Sequence, residues 1–486
     1  MSYRRREPDE NWHLNNASEV KKHDTLRPKI TRTSFVEVNS KWQLLRQMVA
    51  WRYLVSWLCF WVCLVQYYEN TVVKRAMGKC QWSSWEAWPQ SATPHHMAVL
   101  ADPQIMDAHS YPGRPWIVNF FTQKIVDNYH VRNWKYLHHT LDPDSTFFLG
   151  DLFDGGRYWE DSAWIAEYSR FNRIFPKKPN RLAVMSLPGN HDIGFGDTIM
   201  EESLSRFKAY FGETSSKWDV GNHTIVLLDT ISLSDTQNEK VSAAPRSFLD
   251  LVAQSPKSSP RILLTHVPLW RDPDVQTCGP ERESPKPFPV MKGVQYQTLI
   301  ESDLSQEVLQ KIGPSLVLSG DDHDYCHVKH TYSSKGDTET AEEITVKSCA
   351  MNMGISRPAL QLLSLYNPQQ SPYADDTYRT NICYLPDPFK ALQMYVCAYI
   401  LTLLFIGWMS VAPKSFKKVL GFKLRKKTKD GMLVLPLASK KGSVPINDLS
   451  DMSNLSAVGK TQNFIVNASV MSLMLMLVFT FQYTKA

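Results

Sequence analysis

The chain has 486 residues, 43% hydrophobic and 12% aromatic, enough apolar material for a large globular core, which excludes a mainly disordered protein. Its net charge is only +6, and the basic residues gather in two segments, so the balance gives no ground for nucleic-acid binding.

Residues 1–40 are polar and lack periodicity, which predicts a flexible stretch within a basic tail over 1–52 that carries Arg4, Arg5, Arg6, Lys21, Lys22, Arg27 and Arg32. The apolar segment 53–68 is rich in Trp and Tyr, lies too far from the N-terminus for a cleaved signal, and reads as a signal anchor. Two further apolar segments cover 394–411 and 464–481, the last diluted by Asn467, so two or three transmembrane helices are expected. Between them, residues 412–463 form a basic loop with Lys414, Lys417, Lys418, Lys423, Arg425, Lys426, Lys427 and Lys429. Positive charge on the cytoplasmic side places tail and loop together, and residues 69–393 in a lumen or outside the cell. Of the five cysteines in that part (Cys80, Cys278, Cys326, Cys349, Cys383), at most four can pair, leaving one thiol. Asn222-His223-Thr224 is a glycosylation sequon there.

The large domain, with its core over 97–350, shows strands alternating with helices. Trp82, Trp85 and Trp88 precede it and are expected to pack onto it or onto the membrane interface. A strand at 97–101 ends in Asp102-Pro103-Gln104. A helix over 116–138 follows, with Ile117, Phe120, Phe121 and Ile125 as its apolar face. A strand at 146–149 ends in Gly150-Asp151-Leu152-Phe153-Asp154-Gly155-Gly156. Further strands end in Gly189-Asn190-His191-Asp192, in His266 and in Gly320-Asp321-Asp322-His323. In α/β sheets the strand ends build the site. Carboxylate, amide and imidazole donors together suit two divalent cations, and one carboxylate, Asp151, is placed to be shared.

These motifs, in this order, resemble those of the calcineurin-like metallophosphoesterases. The resemblance implies an α/β fold, a β-sandwich flanked by helices, and a dinuclear phosphoric ester hydrolase. It implies Asp102, Asp151 and His323 around one metal, Asp151, Asn190, His266 and Asp321 around the other, and His191 as general acid held by Asp192. Gln104 and Asp321 stand where the family usually has histidine. Gln104, Asp154 and Asp192 are therefore expected behind the ligands, and Asp322 is an alternative ligand to Asp321. The extra carboxylate favours Mn2+ or Mg2+. Ala101-Asp102-Pro103-Gln104 and the stretches around Asp151 and His191 are similar to the fungal cell-division-control branch. Membrane anchoring within that branch implies a phosphodiesterase that uses Mn2+ to remove ethanolamine phosphate from a mannose of glycosylphosphatidylinositol (GPI). Its partners would be GPI glycolipid or GPI-anchored proteins at the membrane of the endoplasmic reticulum or Golgi. The competing expectations are another membrane-linked phosphoester, or a receptor or ion-homeostasis protein with a degenerate site.

Overall fold

The computed structural model describes residues 48–334, 336–372, 376–420 and 457–483. The basic tail up to residue 47, and Lys423, Arg425, Lys426, Lys427 and Lys429 of the basic loop, lie outside the described residues. In chain order the strands begin with β1 (His95–Leu100), β2 (Ser145–Phe148), β3 (Leu182–Val184), β4 (Ser216–Val220), β5 (His223–Leu227) and β6 (Arg261–Leu264). They continue with β7 (Lys292–Gly293), β8 (Tyr296–Gln297), β9 (Leu316–Ser319), β10 (Cys326–Ser334), β11 (Asp337–Thr345), β12 (Ala359–Leu365) and β13 (Tyr378–Tyr384).

Two mixed sheets stack face to face, with orders β13-β12-β1-β2-β3 and β10-β11-β9-β6-β5-β4, while β7 and β8 form a separate small hairpin. Side chains alternate across a strand, so a strand covered on both faces reads as a continuous apolar run. Met97 and Val99 of β1 meet Ile225, Leu227, Ile262, Leu264, Leu316 and Leu318 between the sheets. Ala98 and Leu100 point outward, onto helices that include Trp116–Tyr136 and Asp161–Ile174. The outer face of the second sheet is covered by Glu239–Gln254 and Ser302–Ile312. Strands β12 and β13 lie beyond residue 350, yet β12 pairs with β1 along its length, so the sandwich extends past the expected core.

The helix predicted over 116–138 is present as Trp116–Tyr136, but the face it buries is different. Ile117, Phe120 and Phe121 are 49%, 47% and 54% exposed, whereas Asn128, His130, Arg132 and Asn133 are buried. The cause is the neighbour. Asn128 and Arg132 donate to Glu69 at 2.7 and 2.6 Å, so this part of the helix packs against the apolar helices rather than facing water. Trp82 and Trp88 pack onto the domain, donating to Leu141 O and Ser364 Oγ.

Among the described residues two helices are long and apolar enough to cross a membrane, Pro388–Val411 and Val458–Tyr483. The first apolar segment is a shorter regular helix, Trp51–Gln66, that continues through a π turn (Tyr67–Thr71) into Val72–Gly78. All three helices share one apolar cluster. Tyr395 donates to Glu69 and its ring meets Phe479, marking the end next to the sandwich. At the other end Asn467, the residue that diluted the third segment, is buried and accepts from Ala50 N and donates to Met48 O. It thereby satisfies backbone groups at the start of the first helix, as polar side chains do between membrane helices. Cys80 is joined to Cys383 and Cys278 to Cys326, with Cys349 the buried free thiol. The first bond ties the chain leaving the first helix to the strand that leads into the second.

Candidate metal centre

Strands β1, β2 and β3 run parallel in one sheet, and β5, β6 and β9 run parallel in the other. Their C-terminal ends deliver Asp102, Asp151, Asn190, His266 and Asp321 to one place. Candidate ligand atoms of Asp102, Asp151 and His266 lie within 4.8 Å of one another. His266 Nε2 is 3.5 Å from Asp151 Oδ1, 3.5 Å from Asp321 Oδ1 and 3.3 Å from Asn190 Oδ1. Its Nδ1 is 2.6 Å from the Leu149 carbonyl, which fixes the proton there and turns Nε2 toward the carboxylates. His323 sits beside this group. Burial lowers its pKa, against the pull of the Asp321 and Asp151 charges.

The backbone is bent to achieve this. Asp102, Gln104, Asp151, Asp321 and His323 all have positive φ, between 34° and 66°. Each such non-glycine residue costs about 1–3 kcal/mol, a strain that persists where surrounding structure fixes it and that clusters at functional sites. Two glycines make the close approach feasible. A Cβ on Gly189 would sit 2.0 Å from Asp151 Oδ1, and one on Gly150 would meet His266 Nδ1 at 2.7 Å, at a φ of +92°.

The expectation that Asp192 holds His191 is corrected. Asp192 is buried and accepts from the backbone N–H groups of Leu152, Phe153 and Gly189. It pins the Asp151 turn to the Gly189 loop. His191 is held instead by Asp154: Nδ1 lies 2.6 Å from the Asp154 carbonyl and 3.3 Å from its carboxylate. Gln104 stands behind, donating to Asp154 Oδ1 at 2.8 Å. Nε2 is then the His191 nitrogen left for a substrate. Burial opposes charge on His191, but the Asp151 carboxylate and the Asp154 hydrogen bond outweigh it and lift its pKa to about 9. Asp154, despite burial, is held at about 2 by its bonds to His191 and Ser110. Asp154→Asn removes that charge at nearly constant size. It is expected to shift the alkaline limb of the kcat–pH profile to lower pH, because a less stabilised imidazolium deprotonates earlier. An unmoved limb would separate Asp154 from the His191 proton.

Asp322, the alternative ligand, is engaged elsewhere. Its carboxylate pairs with Arg282 at 2.5 Å, whereas Asp321 N–H donates to Asp102 Oδ1 at 3.1 Å and faces the cluster. Cys326 is taken up by Cys278, four residues before Arg282, so the disulfide holds the loop that clamps Asp322. Sequence reasoning missed the support beneath β9. Arg271 and Glu343 are fully buried and paired at 2.6 Å, and Glu343 also accepts from Ser319 and pairs with His330. Alternation in β11 was the available signal, since it turns Glu343 inward.

The residues fit a pair of cations. Asp102 Oδ2, Asp321 Oδ2 and Gln104 Oε1 are buried with no hydrogen-bond partner in the protein, and buried polar atoms are otherwise satisfied. Burial, with the neighbouring Asp151 and Asp321 charges, pushes Asp102 well above the usual carboxylate range. Burial opposes a proton on His266, yet the surrounding carboxylates overcome it and raise its pKa to about 10. Buried carboxylates that crowd one another around a protonated imidazole are suited to exchanging that proton for metal.

A calcineurin-like phosphoesterase family model matches residues 97–325. The chain is 56% identical to cell division control protein 1 of Saccharomyces cerevisiae over 452 residues, 90% of this chain and 92% of that one. It is 33% identical to metallophosphoesterase 1 of Xenopus laevis over 39% of this chain and 53% of the relative. Among solved structures it is similar to the purple acid phosphatase of yellow lupin (Lupinus luteus) seeds, at 13% identity and TM-score 0.34, covering 61% of this chain and 55% of that one. With sandwich, strand-end donors and family match agreeing, the chain belongs to the calcineurin-like metallophosphoesterases. It is a metal-dependent phosphoester hydrolase.

Proposed function

We propose that this hydrolase is a membrane-anchored phosphodiesterase that removes an ethanolamine-phosphate branch from a mannose of the GPI glycan in the lumen of the endoplasmic reticulum. The observation that carries the chemistry is the buried strand-end cluster with His191 beside it. Asp102, Asp151 and His323 would hold one cation and Asp151, Asn190, His266 and Asp321 the other, with Mn2+ favoured by the oxygen-rich set. Two such cations, when bound, polarise a phosphoryl group and make a water nucleophilic at neutral pH. The chain's own residues do the rest. His191 Nε2 gives its proton to the leaving sugar oxygen, Asp154 keeps the ring aimed and charged, and Asp192 fixes the turn that carries Asp151. The Asn190 side chain is steadied from the hairpin, donating to Gln295 O, while Arg157 donates to the Asn190 carbonyl. A degenerate site is disfavoured by the unpartnered oxygens of Asp102 and Asp321, which a merely structural cluster would have satisfied.

The three-helix bundle supports a lipid-linked substrate. Tethering the domain between the first and second apolar helices keeps its site near the bilayer surface and raises the effective concentration of a glycan confined there. The Cys80–Cys383 and Cys278–Cys326 bonds suit an oxidising lumen. In the same reading Asn222, exposed between β4 and β5, would carry a glycan. The test uses purified full-length protein with Mn2+ and a radiolabelled GPI precursor. Released ethanolamine phosphate is expected, with none from Asp151→Ala; cleavage of a generic diester without release from GPI would overturn the substrate.

A further inference from the structure

The helix Trp116–Tyr136 exposes its apolar end and buries its polar one, the reverse of a helix facing water. We infer that its first two turns lie in the headgroup region of the bilayer, docking the catalytic domain onto the same membrane that its apolar helices cross. This rests on the membrane reading proposed above.

Residues three and four apart share a helix face. Val118, Phe121, Ile125, Asn128 and Arg132 therefore form one stripe. The far half of that stripe is packed on the bundle: Ile125, Asn128 and Arg132 face the same small cavity as Glu69, Ala391 and Tyr483. Beyond it, Tyr136 donates to Asn70. The helix thus meets the sandwich-side ends of all three bundle helices. From Ile125 to Tyr136 is about 16 Å at 1.5 Å per residue, and from Trp116 to Ile125 about 13 Å more. That leading part continues directly from the contact with the bundle's helix ends, where the proposal sets the headgroups.

Its chemistry matches the place. Trp116 is 77% exposed, and Ile117, Val118, Phe120 and Phe121 are exposed beside it. A contiguous apolar patch of this kind marks an interaction surface. Aromatic residues flanked by cations suit the interface: Lys124 is exposed, and exposed Arg114 lies 3.9 Å from the Tyr111 ring centroid. Asn119 anchors this end by donating to Ala108 O and Tyr111 O in the loop that starts at Asp102. Membrane contact would therefore fix the orientation of a loop continuous with a metal ligand.

The test is site-directed spin labelling of the full chain in lipid nanodiscs, in a background of Cys59→Ser, Cys63→Ser and Cys397→Ser. Labels go at Ile117→Cys, at Leu404→Cys on the lipid-facing side of the second helix, and at Leu251→Cys on the far side of the sandwich. The proposal expects Ile117 and Leu404 to be more accessible to oxygen than to a water-soluble nickel chelate, and Leu251 the opposite. If Leu404 is in lipid but Ile117 behaves like Leu251, the docking idea is overturned while the membrane reading stands. If Leu404 is water-accessible, the membrane reading fails and takes the docking with it. A label at Ile117 shielded from both reagents would mean a protein partner or second copy covers the patch, which also overturns the proposal. Trp116→Asn combined with Phe121→Asn is expected to slow hydrolysis of a bilayer-embedded substrate several-fold and to leave a soluble diester unaffected; equal loss on both would contradict it.

Discussion

Asp151→Asn is expected to abolish hydrolysis, by about three orders of magnitude or more, because two cations supply several kcal/mol of charge stabilisation and each 1.36 kcal/mol is tenfold in rate. Asp151 lies within the carboxylate cluster: its Oδ1 accepts the His191 backbone N–H at 2.9 Å and lies 3.5 Å from His266 Nε2. The amide keeps an acceptor for that N–H. It also relieves the repulsion that Asp151 exerts on Asp102 and Asp192, which offsets its lost attraction to His266. The metal-free variant should thus melt near the metal-free parent, yet gain little from added Mn2+. Calorimetry with and without Mn2+, beside metal analysis, checks both halves. A variant that binds two metals and turns over normally would remove Asp151 from the centre.

His191→Gln should cost about 10²–10⁴ in kcat for an alkoxide leaving group, the usual range for a positioned general acid. Metal content should not change, since Asp154 engages His191 Nδ1 and the ring is not among the proposed metal ligands. The loss should depend on the leaving group. A nitrophenolate departs without a proton, so the variant should approach parent rates on nitrophenyl esters and fail on sugar-linked diesters. Equal losses on both would assign His191 to holding the phosphoryl group instead.

How much of this was legible in the sequence varies with the physics behind each residue. Strand ends were readable because β1, β2, β6 and β9 are short apolar runs stopped by polar motifs, and parallel strands must bring those motifs to one edge. Strands β12 and β13 were not, because β12 joins the sheet by pairing with β1 across more than 250 residues, which leaves no local mark, and β13 is added through β12. The face of Trp116–Tyr136 was misread for a related reason. Periodicity says which residues are apolar, not whether they face the core. The partner of His191 was misassigned to its chain neighbour Asp192. Asp154, in the loop after β2, instead meets His191 Nδ1, a relation set by tertiary geometry. Asp321, rather than its neighbour, faces the cluster, because Asp322 is paired with Arg282.

A two-metal hydrolytic centre on these residues is tested most directly by metal titration. Full-length protein is stripped with chelator, then titrated with Mn2+ while bound metal and hydrolysis of a soluble phosphodiester are followed at several pH values. Two Mn2+ per chain are predicted, with activity appearing as the second site fills. Affinity should rise with pH, because His266, lifted to about 10 by its carboxylate neighbours, must give up the Nε2 proton to bind metal. Full hydrolysis by metal-free protein, or a Mn2+ stoichiometry and affinity unchanged by Asp102→Asn and Asp151→Asn, would contradict it.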